Sequence, residues 1–231
     1  MCTPLSNVTF AFALSALMLA TDEPSKSDKA PLDFRQLVAQ LASPNEAPNI
    51  NNRRAPKTNN RREPRVTFPS SYDREAQEKA LAARQLLYDN FADALPELIA
   101  SIDDQRYSIT ISWADGEEYY NQEVGAVCKN VIASQLEVYR AKIRFLGPGH
   151  WHKYTYPVSK EWWEKHKDKS HRQLQIIAID WAIEERKKEK GIDGDDRNNE
   201  LTELIKLREQ LALSDKPLDG RSMYRTVTQD K

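Results

Sequence analysis

The sequence predicts a predominantly helical α+β fold, with four or five helices, one or two short β-hairpins and a disordered linker. Three observations predict it. After position 70, apolar residues recur mostly at three- and four-residue steps, the period of a helix with one buried face. One segment, Tyr107 to Trp113, alternates with period two, as a strand does. Residues 43–70 show neither period and hold five prolines and six asparagines.

Taken in order, residues 1–42 comprise an apolar segment and a short helix. Val8 to Ala20 is apolar but, at 13 residues, too short for a transmembrane span, which needs about 20. It has the length of a signal-peptide core, yet no Lys or Arg precedes it and Met18-Leu19-Ala20 is a poor cleavage site. A docking segment that stays on the mature chain is the favoured reading over a signal peptide at 1–20. Asp33 to Ala42 sets Phe34, Leu37, Val38 and Leu41 on one helical side.

Residues 43–70 cannot bury enough apolar surface to offset the entropy of ordering them, so a disordered linker is expected. It carries Asn51-Asn52-Arg53-Arg54, repeated as Asn59-Asn60-Arg61-Arg62.

The folded domain is expected over 71–213. Ser70 and Asp73 have capping-pair spacing, and Ala80, Ala83, Leu87, Phe91, Leu95 and Leu98 share one face, with Pro96 placed to kink or restart the helix. Tyr107, Ile109, Ile111 and Trp113 form the apolar face of a strand, Asp115-Gly116 turns it, and Glu117 to Gln122 returns. A helix over roughly 122–140 follows. Ile143 to Leu146 and Trp151 to Tyr156, around Gly147-Pro148-Gly149, suggest a second hairpin. Ser159 opens the next helix, with Val158 and Trp163 as a hydrophobic staple. Ser170 and Gln173 form a capping box for the helix that ends near Gly191. Asn199 to Leu213 is the last helix, and 214–231 a tail.

The net charge of −1 hides an uneven distribution. Residues 49–65 hold six basic residues against Glu63, and residues 89–123 nine acidic residues against Arg106. Two cysteines, Cys2 and Cys128, build neither a disulfide framework nor a Cys-based zinc motif, which suits a reducing, cytoplasmic setting. All seven glycines lie at position 116 or beyond, and none matches a phosphate-loop or dinucleotide spacing.

Two features point to nucleic acid. Arg53, Arg54, Lys57, Arg61, Arg62 and Arg65 supply planar or point cations suited to phosphate oxygens. Gly149 to Arg172 interleaves rings with cations, among them Trp151, Lys153, Tyr154 and Lys165, as base stacking along a phosphate chain requires. The ordinary alternatives are a solubilising linker, and tryptophans that serve the core beside solvated lysines. His150-Trp151-His152 would set two imidazoles on one side of a strand, but no third ligand is placed by the sequence. The acidic loop from Asp193 fails as a calcium loop, with Asn198 at its sixth position and Leu204 at its twelfth. Cys128 falls on an apolar face, and no nucleophile–base pair is recognisable, so no catalytic residue, metal or cofactor is assigned.

The expected function is a non-enzymatic nucleic-acid-associated accessory or assembly protein, with RNA or DNA as partner. One alternative is an interaction subunit that docks on a protein partner through residues 8–20 or 199–213. The other is a metal-dependent enzyme using His150 and His152.

Overall fold

The computed structural model describes residues 31–51, 65–113, 118–137, 156–188, 194–219 and 225–226. Among them are seven helices and five strands, a predominantly helical α+β architecture. In chain order they are α1 (Phe34–Gln40), β1 (Asn49–Asn51), β2 (Arg65–Thr67), α2 (Arg74–Asp89) and α3 (Phe91–Ala100). Then follow β3 (Tyr107–Trp113), β4 (Glu118–Glu123), α4 (Val124–Leu136), α5 (Lys160–His166), α6 (His171–Lys188), α7 (Gly194–Leu213) and β5 (Arg225–Thr226). β1 pairs antiparallel with β2, and the second sheet has the order β4-β3-β5, antiparallel throughout.

The main core joins α1 to α4, β3 and the start of α6. Leu41, Leu87, Leu95, Leu98, Ile99, Ile109, Ile132, Leu136 and Leu174 are buried in it almost completely. α1 belongs to this core through Leu37 and Val38. Among the described residues the core thus includes α1, upstream of the start expected near Ser70, because a helix with one apolar face is stable only where that face is covered. A second, smaller core lies between α6 and α7 and holds Ile179, Ala182, Ile183, Leu204, Leu207 and Leu211.

Several helix starts follow the sequence reading. Ser159 accepts from the Trp162 amide at 3.1 Å, and Val158 and Trp163 both pack on the main core. Ser170 and Gln173 cap each other, with Ser170 N–H donating to Gln173 Oε1 at 2.8 Å and Gln173 N–H to Ser170 Oγ at 3.4 Å.

Other details differ. The cap of α2 is Asp73 itself, accepting from Ala76 N–H at 3.2 Å. The chain breaks between α2 and α3 at Asn90, whose side-chain amide donates to Leu86 O at 2.9 Å, while Pro96 sits inside α3. Two ends of the linker are paired strands: Asn49, Ile50 and Asn51 face Thr67, Val66 and Arg65. Part of the tail is held as well, since Gln175 brackets Leu218 with bonds of 2.8 and 2.9 Å and β5 lies on β3. Backbone hydrogen bonding satisfied at these places stabilises segments that carry no apolar period.

β3 is covered on both faces. Ile109 and Ile111 point into the core, and Ser108 and Thr110 on the opposite face are also buried. The Thr110 hydroxyl of this second face is served by a polar network rather than by solvent, whereas the buried Ser108 Oγ meets no partner among the described residues. Tyr72 OH donates to Gln77 Oε1 at 2.5 Å and lies 3.2 Å from Tyr107 OH, which lies 2.9 Å from Thr110 Oγ1. Thr110 donates to Asn121 Oδ1 at 2.8 Å, and Asn121 Nδ2 donates to Pro48 O at 2.8 Å. Burial and the Tyr107 hydroxyl both raise the Tyr72 pKa, so its proton stays in the network.

Candidate nucleic-acid interface

The basic segment has well-held roots. Arg65 lies in β2 opposite Asn51 in β1, so the chain leaves and re-enters the fold at neighbouring positions of one ladder. Upstream of β1, the Asn45 side chain makes two bonds to the backbone of Asp73, of 2.8 Å to its carbonyl and 2.7 Å from its amide. Pro48 accepts from Asn121 in β4. Downstream of β2, the rings of Phe68 and Tyr72 meet edge-on at 4.8 Å, and Tyr72 enters the network on β3. Both roots are thus tied to the same sheet and to the start of α2.

Arg53, Arg54, Lys57, Arg61 and Arg62 lie outside the described residues, in the connection 52–64 between these roots. Trp151, Lys153 and Tyr154 also lie outside them, as do His150, His152, the apolar segment 8–20 and the second hairpin expected before Tyr156. Glu137 ends the described part of the chain on one side of that stretch and Tyr156 begins it on the other. The two are joined, since the buried Glu137 carboxylate accepts from Tyr156 N–H at 2.7 Å. The aromatic-basic stretch is therefore also closed at its base.

Tyr156 continues into an aromatic group. Its ring meets Trp162 and Trp181 edge-on, each at 5.5 Å, and Trp162 Nε1 donates to its hydroxyl at 2.5 Å. His166 stacks on Trp162 at 4.8 Å. These rings pack on the main core, so the tryptophans of α5 follow the ordinary reading and serve the fold. A cleft of about 180 Å³ opens beside them, lined chiefly by Ile102, Ile132, Leu136, Glu137 and Val158, with Lys129 alongside.

The cations of this region divide. Lys160 pairs with Asp103 at 2.9 Å, holding that carboxyl below its usual range, and Lys167 pairs with Glu164 at 2.8 Å. Arg172 donates to the Ala212 and Ser214 carbonyls at the end of α7 and is structural. Lys165 is exposed in the last turn of α5 and makes no ion pair among the described residues.

α7 spends its apolar face inside the chain. Leu204, Leu207 and Leu211 pack on α6, and Arg186 of α6 pairs with Glu200. The leucines read as a docking surface at 199–213 are therefore core, because α6 presents Ile179 and Ile183 to them. Ile205 and Leu213 remain exposed on the far side.

Cys128 is fully buried, and burial pushes its thiol up to about 12. His171 packs on Phe91 at 4.7 Å with Nε2 3.3 Å from Gln135 O, and burial lowers its pKa. No group of three or more His, Cys, Asp and Glu stands together to hold a metal among the described residues. Nor is any described helix long and apolar enough to cross a membrane.

The anchoring network escaped sequence reading because its members are scattered single polar residues. The one local signal was the Ser-Thr-Ser face of β3, which normally means solvent. No known protein family matches the chain, and no curated protein or solved structure matches it.

Proposed function

We propose that this protein is a non-enzymatic nucleic-acid-associated accessory or assembly protein that grips phosphate backbones with the cations of residues 52–65. The observation that supports this most is the β1–β2 ladder. It gathers the Arg53-Arg54 and Arg61-Arg62 pairs into one connection whose ends are paired with each other and tied to the sheet. A cationic segment tethered at both ends gives up less freedom on meeting a polyanion than a free tail does, while still following an irregular backbone. Trp151, Lys153, Tyr154 and the exposed Lys165 are the proposed secondary contact, where rings stack on bases. A cytoplasmic setting completes the reading, supported by the buried free thiol of Cys128.

The test is fluorescence anisotropy at low salt with single-stranded RNA, single-stranded DNA and duplex. Changing Arg53, Arg54, Arg61 and Arg62 to Ser should weaken binding at least tenfold while leaving the helical circular dichroism intact. Equal affinity of the two proteins for all three probes would refute the reading.

A second reading, an interaction subunit, is favoured by one observation. α7 packs on α6 with one face, and Ile205 and Leu213 on the other are exposed. Co-purification of a protein partner lost on I205D, with nucleic-acid binding absent, would favour it.

A further inference from the structure

Residues 33–51 are covalently joined to residues 65 onward by the connection 52–64, but contacts of their own hold them along their whole length. α1 lies on α2 and α3 and supplies Leu37, Val38 and Leu41 to the main core, the last of them with no exposed surface. Next, Ser43 N–H donates to Tyr107 O in β3 at 2.9 Å. The Asn45 side chain then brackets Asp73, accepting from its amide at 2.7 Å and donating to its carbonyl at 2.8 Å. Pro48 is buried, and its carbonyl accepts from Asn121 Nδ2 at 2.8 Å. β1 ends the run by pairing with β2. Every partner named here lies at residue 65 or later.

The local structure of the segment is self-contained as well. Asp33 caps α1 by accepting from Gln36 N–H at 3.0 Å. At the other end, Leu41 N–H donates to Val38 O at 3.1 Å and Ala42 N–H to Ala39 O at 3.3 Å. Both ends of the helix are thus closed by residues 33–42 themselves. An apolar helix face laid in a groove and a strand added to a strand are two modes by which one chain binds another. Residues 33–51 use both, with the Asn45 clamp between them. What the covalent connection adds is an effective concentration of about millimolar, as any short flexible tether does. Three buried aliphatic side chains, four long-range hydrogen bonds and a ladder exceed that contribution.

We propose that residues 33–51 form a strap held by α2, α3, β2, β3 and β4 as a peptide is held by its receptor, so that a chain opened between 51 and 65 stays one folded assembly. The surface that receives the strap fits a helix with apolar residues at Leu37, Val38 and Leu41, followed by an asparagine clamp and a short strand. The fold therefore tolerates a break at the basic connection, whatever that connection binds.

The test uses the full chain with the recognition sequence of a site-specific protease inserted between Lys57 and Thr58. After cutting, the two pieces should co-elute in size-exclusion chromatography at about 1 µM protein, far below the effective concentration of the tether. They should keep the helical circular dichroism of the uncut chain and separate once urea unfolds them. Independent elution of the N-terminal piece, or collapse of the circular dichroism on cutting, overturns the proposal. A second measurement reads the contacts of the strap. The N-terminal piece carries a fluorophore, and an excess of unlabelled cut chain captures what leaves. N45A/N121A removes the bonds to Asp73 and Pro48, so its N-terminal piece should leave at least about tenfold faster than that of the wild type. An unchanged exit rate also overturns the proposal. The first measurement needs no substitution, so it decides whether or not N45A/N121A folds.

Discussion

Gly125, the second residue of α4, meets backbone rather than side chain, and replacing it by alanine tests the packing of the whole β4–α4 junction. A Cβ built there would lie 2.4 Å from Ile102 O, 2.8 Å from Ile102 C and 3.0 Å from Asp104 O. None of these atoms belongs to a flexible side chain, so the helix start or the α3–β3 connection has to move. That movement strains two short bonds that fix the start of α4, from Gly125 N–H to Asp104 O and from Val124 N–H to Arg106 O, both 2.8 Å. Overpacking of this kind costs about 1–3 kcal/mol, and each weakened bond adds up to about 1 kcal/mol. The better helix propensity of alanine returns about 1 kcal/mol. The expected net loss is about 2 kcal/mol. With a urea slope of about 2 kcal/mol per molar, the midpoint of unfolding falls by about 1 M. Urea titration followed by circular dichroism measures it. An unchanged or raised midpoint for G125A would show that α4 does not start against the Ile102 carbonyl.

Three further outcomes follow from buried groups. Arg186 is almost fully buried and pairs with Glu200 across the α6–α7 contact, so E200A should cost about 3 kcal/mol by leaving a guanidinium away from water. A loss under about 1 kcal/mol in thermal melts would contradict that burial. His171 has its pKa lowered from 6.5 by burial, so the unfolded chain takes up a proton that the folded chain resists. Stability should therefore fall as pH drops below about 6.5, and H171Q should flatten that dependence in urea titrations at pH 5.5 and 7.5. In a C2S chain, Cys128 should resist thiol reagents at pH 8 until the protein is unfolded in urea, because its thiol is buried and pushed up to about 12. Rapid labelling of the native chain would refute this.

The legible parts of the fold are those with a period or a cap. The a-face of α2 and α3, the alternation of β3, and the cap chemistry of Ser159 and of Ser170 with Gln173 were all readable, because each is a local rule acting over a few residues. What escaped reading was tertiary. Nothing local shows that Asn45 clamps Asp73, that Asn121 reaches Pro48, or that Gln175 holds Leu218 across 43 residues of sequence. For the same reason the linker read as longer than the structure allows: β1 and β2 are held by pairing and by remote side chains, with little apolar surface of their own. Breaking at Asn90 rather than at Pro96 has a local cause that was visible only in part. The asparagine side chain competes for the Leu86 carbonyl, whereas Pro96, the sixth residue of α3, gives up one helical donor without ending the helix. Within 199–213, Leu204, Leu207 and Leu211 are core because α6 supplies an apolar partner, which the sequence of α7 alone does not reveal. The cations proposed to meet nucleic acid were legible as composition, but only the pairing of Asn51 with Arg65 brings their two runs to one root.

The most direct test of the nucleic-acid reading is the salt dependence of binding to a single-stranded oligonucleotide, measured by anisotropy between 50 and 200 mM salt on the intact chain. If about four of the charges in the basic segment contact phosphates, log K falls against log salt with a slope of roughly −3. The variant with Arg53, Arg54, Arg61 and Arg62 changed to Ser should lose most of that slope. A wild-type slope indistinguishable from that of the variant would contradict the account.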